Sequence, residues 1–402
     1  MEPRPAPPHG RLATRAVHAS RVAPPAQAPV APAIYPTSAW VAGATRELGE
    51  LLTDEREGYV YGRYDNPTNT SLHAVVAALH GAPAAWSLSS GTAAIHAALD
   101  ACRAGGRILA TDALYGGTWS LLRRLERDRG WQVDHVDLAH AADHLTDEHT
   151  VVYAETIANP STRVADLGVL GDLCADRGVH LLVDNTFASP ALCRPLEHGA
   201  TVVVESATKF LAGHGDVVAG VVAGPEDIVA AVRRHTFEYG TTLGPFEAWL
   251  VARGAQTLPL RYAASCRNAA VVAQRLATSG PATHVAHPSL PDHPDHARAA
   301  TLFDGDQRGA VLSFRLPTRG AAEAFADACE VFLPATTLGG THSLVLHPAS
   351  TSHRDVDEVG LAAAGITLGT VRLSLGIEDE ADLLADLDRA LAAASHALIG
   401  TP

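Results

Sequence analysis

One lysine, Lys209, stands among thirty basic residues that are otherwise all arginine. Arginine stays charged under almost any condition, whereas a lysine amine can be pushed toward neutrality and form a Schiff base with a carbonyl. A compositional bias that spared one lysine by chance is the plain alternative. Lys209 follows the apolar run Thr201 to Val204, with Ser206 and Thr208 beside it, so the amine emerges where a buried strand ends. Asp184 follows Val179 to Val183 and puts a carboxylate at a second strand exit, where a turn cap is its ordinary role. Ser90-Gly91-Thr92 precedes the helical stretch Ala93 to Cys102. Backbone N–H groups at such a helix start favour an anion, although Ser and Thr are also common caps.

An amine, a carboxylate and an anion cradle at strand ends are together what pyridoxal phosphate requires. Its aldehyde condenses with the amine, its phosphate takes the helix start, and the carboxylate keeps the ring nitrogen protonated so that the ring accepts electrons. The glycine fingerprints of a nicotinamide site and of a nucleoside triphosphate site are both missing.

The elements that must hold these groups can be read from periodicity. Short runs rich in β-branched residues recur at 106–111, 150–154, 179–183, 201–204 and 217–222, and alternate with helical stretches at 92–102, 119–129 and 167–177. Continuous apolar strands separated by helices predict an α/β unit with a mostly parallel sheet covered on both faces, its chemistry at the carboxyl ends of the strands. Prolines break any period from 1 to 59, predicting an extended N-terminal arm. Residues 60–252 then form the large domain, and 253–402 a smaller α+β domain with strands at 310–316 and near 370–375 and helices at 261–279, 319–329 and 380–398. Four histidines at 284–296 lie among prolines without the spacing of a ligand pair; a solvated loop is expected there, and no metal.

Composition narrows the function. A hydrophobic fraction of 47% with 18% charged residues describes a chain that folds around a core. A formal charge of −14 disfavours nucleic acid and anionic lipid as partners. Five scattered cysteines without a C-x-x-C pair indicate a reducing compartment, and with no signal segment or membrane span in the pattern the expected location is cytoplasmic.

Eight motifs occur in order: Tyr61 to Thr68, Ser89 to Ile95, Leu114 to Thr118, Glu155 to Pro160, Val183 to Thr186, Ser206 to Lys209, Gly213 to Asp216 and Val371 to Ser374. With them the chain resembles the Cys/Met-metabolism (trans-sulfuration) family of fold-type I pyridoxal-phosphate enzymes, from about Thr14 to the last helix. The resemblance implies a seven-stranded-type sheet in the large domain. It makes Lys209 the residue that binds pyridoxal 5'-phosphate covalently and later moves protons, and Asp184 the partner of the ring nitrogen. Tyr115 would stack on the ring and serve as a general acid or base, while Gly91, Thr92, Ser206 and Thr208 hold the phosphate. Tyr61 and Arg63 would reach the phosphate of a neighbouring subunit, so that the expected assembly is a homotetramer with shared sites. Arg372, with Asn159 and Thr337, would bind the amino-acid substrate, a guanidinium fork being suited to its α-carboxylate.

The implied reaction is a γ-replacement or γ-elimination on a homoserine-derived or sulfur amino acid, through a vinylglycine-type intermediate, as in cystathionine γ-synthases and γ-lyases. Alternatives are a methionine γ-lyase, a homoserine-ester sulfhydrylase, β-elimination as in cystathionine β-lyases, γ-substitution with an unusual nucleophile in secondary metabolism, an aminotransferase, or a catalytically silent regulator. Three departures bear on specificity. Gly117 replaces the cysteine usual in methionine γ-lyases, Thr336-Thr337 the Glu-Ser of cystathionine γ-lyases, and His342 a glutamate common in the family.

Overall fold

The computed structural model describes residues 29–399 apart from 279, 304, 352–360 and 362–364. The expected arm at 1–59 therefore lies outside the described residues up to 28. From there the backbone is irregular, tied down by Trp40 N donating to Val60 O (3.0 Å) and Tyr35 N to Thr68 Oγ1 (2.9 Å). Its end is not extended as expected: α1 (Thr45–Leu52) forms there, in a stretch free of proline and braced by an Arg46–Glu50 pair one turn apart.

The chain then builds α2 (Pro67–His80), β1 (Ala84–Leu88), α3 (Gly91–Arg103), β2 (Arg107–Thr111), α4 (Gly116–Arg129), β3 (Val133–Val136), β4 (His149–Glu155), α5 (Leu167–Arg177), β5 (His180–Asp184), β6 (Val202–Glu205), β7 (Gly220–Gly224), α6 (Glu226–Tyr239) and α7 (Pro245–Ala255). Seven strands form one sheet in the order β1-β7-β6-β5-β4-β2-β3, parallel except for β7, which runs against both its neighbours. Strands β4, β5 and β6 are buried almost throughout because both faces are covered. Val152, Leu181 and Val183 face a core shared with α2, α5 and α7, while Val151, Leu182 and Val204 face α3, α4 and α6. In-register pairing sets Glu155 beside Asp184 and Asp184 beside Val204, so three adjacent strands end at one level.

Next comes α8 (Leu258–Ala277), whose first turns pack into the large-sheet core through Leu258, Tyr262 and Cys266. Its later residues Val272 and Leu276 join a separate core. That core lies under a second sheet of order β10-β11-β12-β9-β8, built from β8 (Thr283–Ala286), β9 (Val311–Arg315), β10 (Leu333–Pro334), β11 (Leu344–Leu346) and β12 (Thr370–Ser374). It is completed by α9 (Arg319–Ala328) and α10 (Glu380–Ile399), with Phe325, Leu373 and Leu387 fully buried. The change of core thus falls along α8, beyond the expected boundary at 252/253, which lies inside α7.

The histidine segment differs from the solvated loop expected. His287 is fully buried, held by Ser289 Oγ (2.7 Å) and Gly309 O (3.1 Å), and His293 is buried against Thr162. No cluster able to hold a metal ion occurs among the described residues, and none of their helices is long and apolar enough to cross a membrane.

Candidate active site

At the carboxyl ends of β4, β5 and β6 lies a cavity of about 300 Å³. Its anion side is the start of α3. Ser90 is the N-cap, its Oγ accepting from Ala93 N (3.1 Å), and Gly91 and Thr92 follow at the helix mouth. A Cβ on Gly91 would come within 2.7 Å of Ser206 Cβ, so the bare backbone lets the helix start and Ser206 close into one cradle. Thr208 lines the same wall, its hydroxyl accepting from Ala219 N (2.9 Å).

Asp184 ends β5. Its Oδ1 accepts from Thr186 N (2.9 Å) and its Oδ2 from the Tyr153 hydroxyl (3.3 Å). The turn-cap role and a site role thus coexist. Burial raises its proton affinity above that of an ordinary carboxyl, the Thr186 contacts opposing this in part. Beside it Glu155, also pushed well up by burial and by the Asp184 charge, accepts from Tyr115 N (2.7 Å). Two adjacent buried carboxylates resist ionising together. Tyr115 is half exposed at the start of α4, its ring over the backbone of Gly117, where a Cβ would fall 2.5 Å from Tyr115 Cε1.

Lys209 rises from the turn after β6, its backbone N donating to Ser206 O (3.0 Å). Its Nζ donates to Thr337 Oγ1 (2.8 Å) from the second sheet's side. Burial first, then the Arg372 charge, pushes the amine down to about 8. Arg372, buried on β12, donates from Nη1 to Asn159 Oδ1 (3.3 Å) and from Nη2 to Thr337 O (3.0 Å), and burial lowers its guanidinium to about 10. Its Nε has no partner among the described residues.

The fold therefore brings together Gly91, Thr92, Tyr115, Asn159, Asp184, Ser206, Thr208, Lys209 and Arg372 around one cavity, with Thr337 bonded to two of them. Tyr61 and Arg63 are not among the cavity's residues. Tyr61 is exposed, and Arg63 donates to Phe237 O (2.8 Å) on the outer surface of the same chain. Glu155 and Thr186 stand within two of the motifs but carry no expected part, and Tyr153 and Phe187 are not among the expected site residues. The position of Glu155 as the last residue of an apolar strand, like Asp184, was the available signal.

These donors fit pyridoxal phosphate. The cradle closed by Gly91 offers helix N–H groups and hydroxyls to a phosphate, one amine of lowered basicity suits a carbonyl, and the unpartnered Arg372 Nε leaves a donor for a carboxylate.

Comparison with known proteins agrees. The family model described as Cys/Met metabolism PLP-dependent enzyme matches residues 13–392. L-methionine gamma-lyase of Porphyromonas gingivalis is 37% identical over 390 residues, covering 94% of this chain and 96% of that protein. Cystathionine gamma-synthase of Mycobacterium tuberculosis is 38% identical over 391 residues, again 94% and 96%. Among solved structures, cystathionine gamma synthase of Xanthomonas oryzae pv. oryzae in complex with aminoacrylate and cysteine superposes with a TM-score of 0.86 at 34% identity, over 92% of this chain and 94% of that one.

Proposed function

The chain belongs to the Cys/Met metabolism family of PLP-dependent enzymes, and from that membership we propose that it carries out γ-replacement or γ-elimination on a homoserine-derived or sulfur amino acid. The observation that carries this reading is the meeting of the lone lysine amine with Asp184, the α3 helix start and Arg372 in one cavity. When bound, pyridoxal phosphate would supply a carbonyl for amines and a protonated ring that takes up electrons released at Cα.

The protein's own groups divide the remaining work. The α3 start, Gly91, Thr92, Ser206 and Thr208 would hold the phosphate, Asp184 would pair with the ring nitrogen, and Tyr115 would cover the ring. Lys209 Nζ moves protons at the substrate carbons, and an amine of lowered basicity gives up and regains a proton close to neutrality. Thr337 Oγ1 keeps Nζ in place, and its carbonyl braces Arg372. Arg372 offers the α-carboxylate its Nε and, on the same side of the fork, the second hydrogen of Nη2, while Asn159 holds Nη1 and so fixes the plane of the guanidinium. Tyr61 and Arg63 act across a subunit boundary in a homotetramer, and the protein works in the cytoplasm.

Purified protein with pyridoxal phosphate should form cystathionine from cysteine and O-acetylhomoserine or O-succinylhomoserine, or 2-oxobutanoate from methionine or cystathionine. Absence of both products with every substrate would overturn the proposal.

A further inference from the structure

Beneath the site lies a second ionisable pair to which no role has been given. His80 ends α2 and Glu205 ends β6; they are 1% and 2% exposed, with His80 Nε2 3.2 Å from Glu205 Oε1. Removing an acid and a base from water costs more than their attraction commonly returns, so such a pair is a poor way to fill a core. Strand alternation puts Glu205 and Asn185 on the sheet face opposite the Asp184 side chain. Asn185 Nδ2 donates to Glu205 Oε1 (3.2 Å) and to Cys193 O (2.9 Å), and its Oδ1 accepts from Thr156 Oγ1 (2.7 Å). Thr156 N in turn donates to Asp184 O (3.0 Å). A hydrogen-bonded path therefore runs from Glu205, with His80 Nε2 beside it, to the backbone of Asp184.

The groups around this path are few. Tyr153 and Glu155 of β4 face Asp184, while Cys193 and, from α8, Tyr262 and Cys266 lie on the Glu205 side. His80 is the one basic group within ion-pair distance of Glu205 among the described residues. Glu205 stands one residue beyond Val204, the register partner of Asp184, so a charge on it would act across the sheet on that carboxylate, in a low-dielectric region where such effects carry.

We propose that Glu205 and His80 form a positioning pair beneath Asp184: Glu205 strengthens the hold of that carboxylate on the proton of the cofactor's ring nitrogen, and the contact from His80 Nε2 to Glu205 limits the effect. The proposal rests on the function given above. It predicts effects of opposite sign, which a merely structural pair does not. In Glu205→Gln a negative charge near the ring proton is lost, so the proton leaves at lower pH. In His80→Gln Glu205 loses the Nε2 contact that draws on its carboxylate, so the proton leaves at higher pH.

The test is nitrogen-15 NMR of ring-labelled pyridoxal phosphate bound to the protein, titrated with pH without substrate. A midpoint about one unit lower in Glu205→Gln, about one unit higher in His80→Gln, and as low in the double variant as in Glu205→Gln is the expected result. Shifts of the same sign, or none, would overturn the proposal. Should Glu205→Gln not fold, His80→Gln decides alone, and an unmoved or lowered midpoint sinks the idea. Borohydride reduction followed by mass mapping reports separately whether the cofactor is on Lys209, so failure of the functional reading is distinguishable.

Discussion

Lys209, Thr337 and Arg372 form a short chain of contacts whose chemistry can be probed one residue at a time. Burial depresses the amine, so its reactive neutral form appears as pH rises through about 8 rather than through 10.5. Capture of added pyridoxal phosphate by cofactor-free protein, followed by absorbance, should climb over that interval. Thr337→Val removes the oxygen that accepts from Nζ, which costs the ammonium more than the amine. The climb should then move to lower pH, and Thr337→Ser should restore it. Arg372→Lys keeps a charge but loses the fork, so steady-state kinetics should show KM raised about 100-fold, ~3 kcal/mol of binding, with a smaller change in kcat. Asp184 is legible because it ends an apolar run, and Lys209 because it is the chain's one lysine and follows shortly after another such run. The contact to Thr337 was not, since it joins residues 128 positions apart through the packing of two sheets.

Among the elements, the turn carrying Lys209 is braced from α8. Arg261, buried and with no carboxylate partner among the described residues, donates to Phe210 O (3.0 Å) and Gly254 O (2.7 Å), while Tyr262 next to it donates to Phe187 O (2.7 Å). Adjacent side chains on one helix turn thus clamp the segments that follow Lys209 and Asp184. Gly213 leaves room for that guanidinium and holds φ at +72°, where a side chain is strained. Gly213→Ala should therefore lower stability by about 2 kcal/mol or more, read from denaturant unfolding. Periodicity foretold α5 to the residue and the central strands within one or two positions. It missed β1 and β3. β1 contains small residues and a serine, and the half-buried β3 has two polar residues, Asp134 and His135, at its centre, so neither forms a continuous apolar run. The run at 217–222 was placed early: the strand begins at Gly220, where the backbone approaches Ser90 too closely for a side chain.

At the scale of the whole molecule, Arg63 stacks over Tyr64 (4.9 Å) and Tyr61 (5.7 Å) on an aromatic outer surface, away from the chain's own cavity. If these side chains serve a neighbouring site, two inactive variants should rescue each other. Lys209→Ala and Arg63→Ala, refolded together, should regain about a quarter of parental activity, since half the pairs are mixed and each holds one intact site. Separately refolded samples mixed afterwards are the control, and activity no higher than in that control counts against sharing. The link through Thr337 also has a consequence for selection among substrates. The amine and the guanidinium stand on different sheets yet are tethered by one residue, so the reach from nitrogen to carboxylate is gauged in advance. A β-amino acid, one carbon too long for that gauge, would be turned away before any bond is broken.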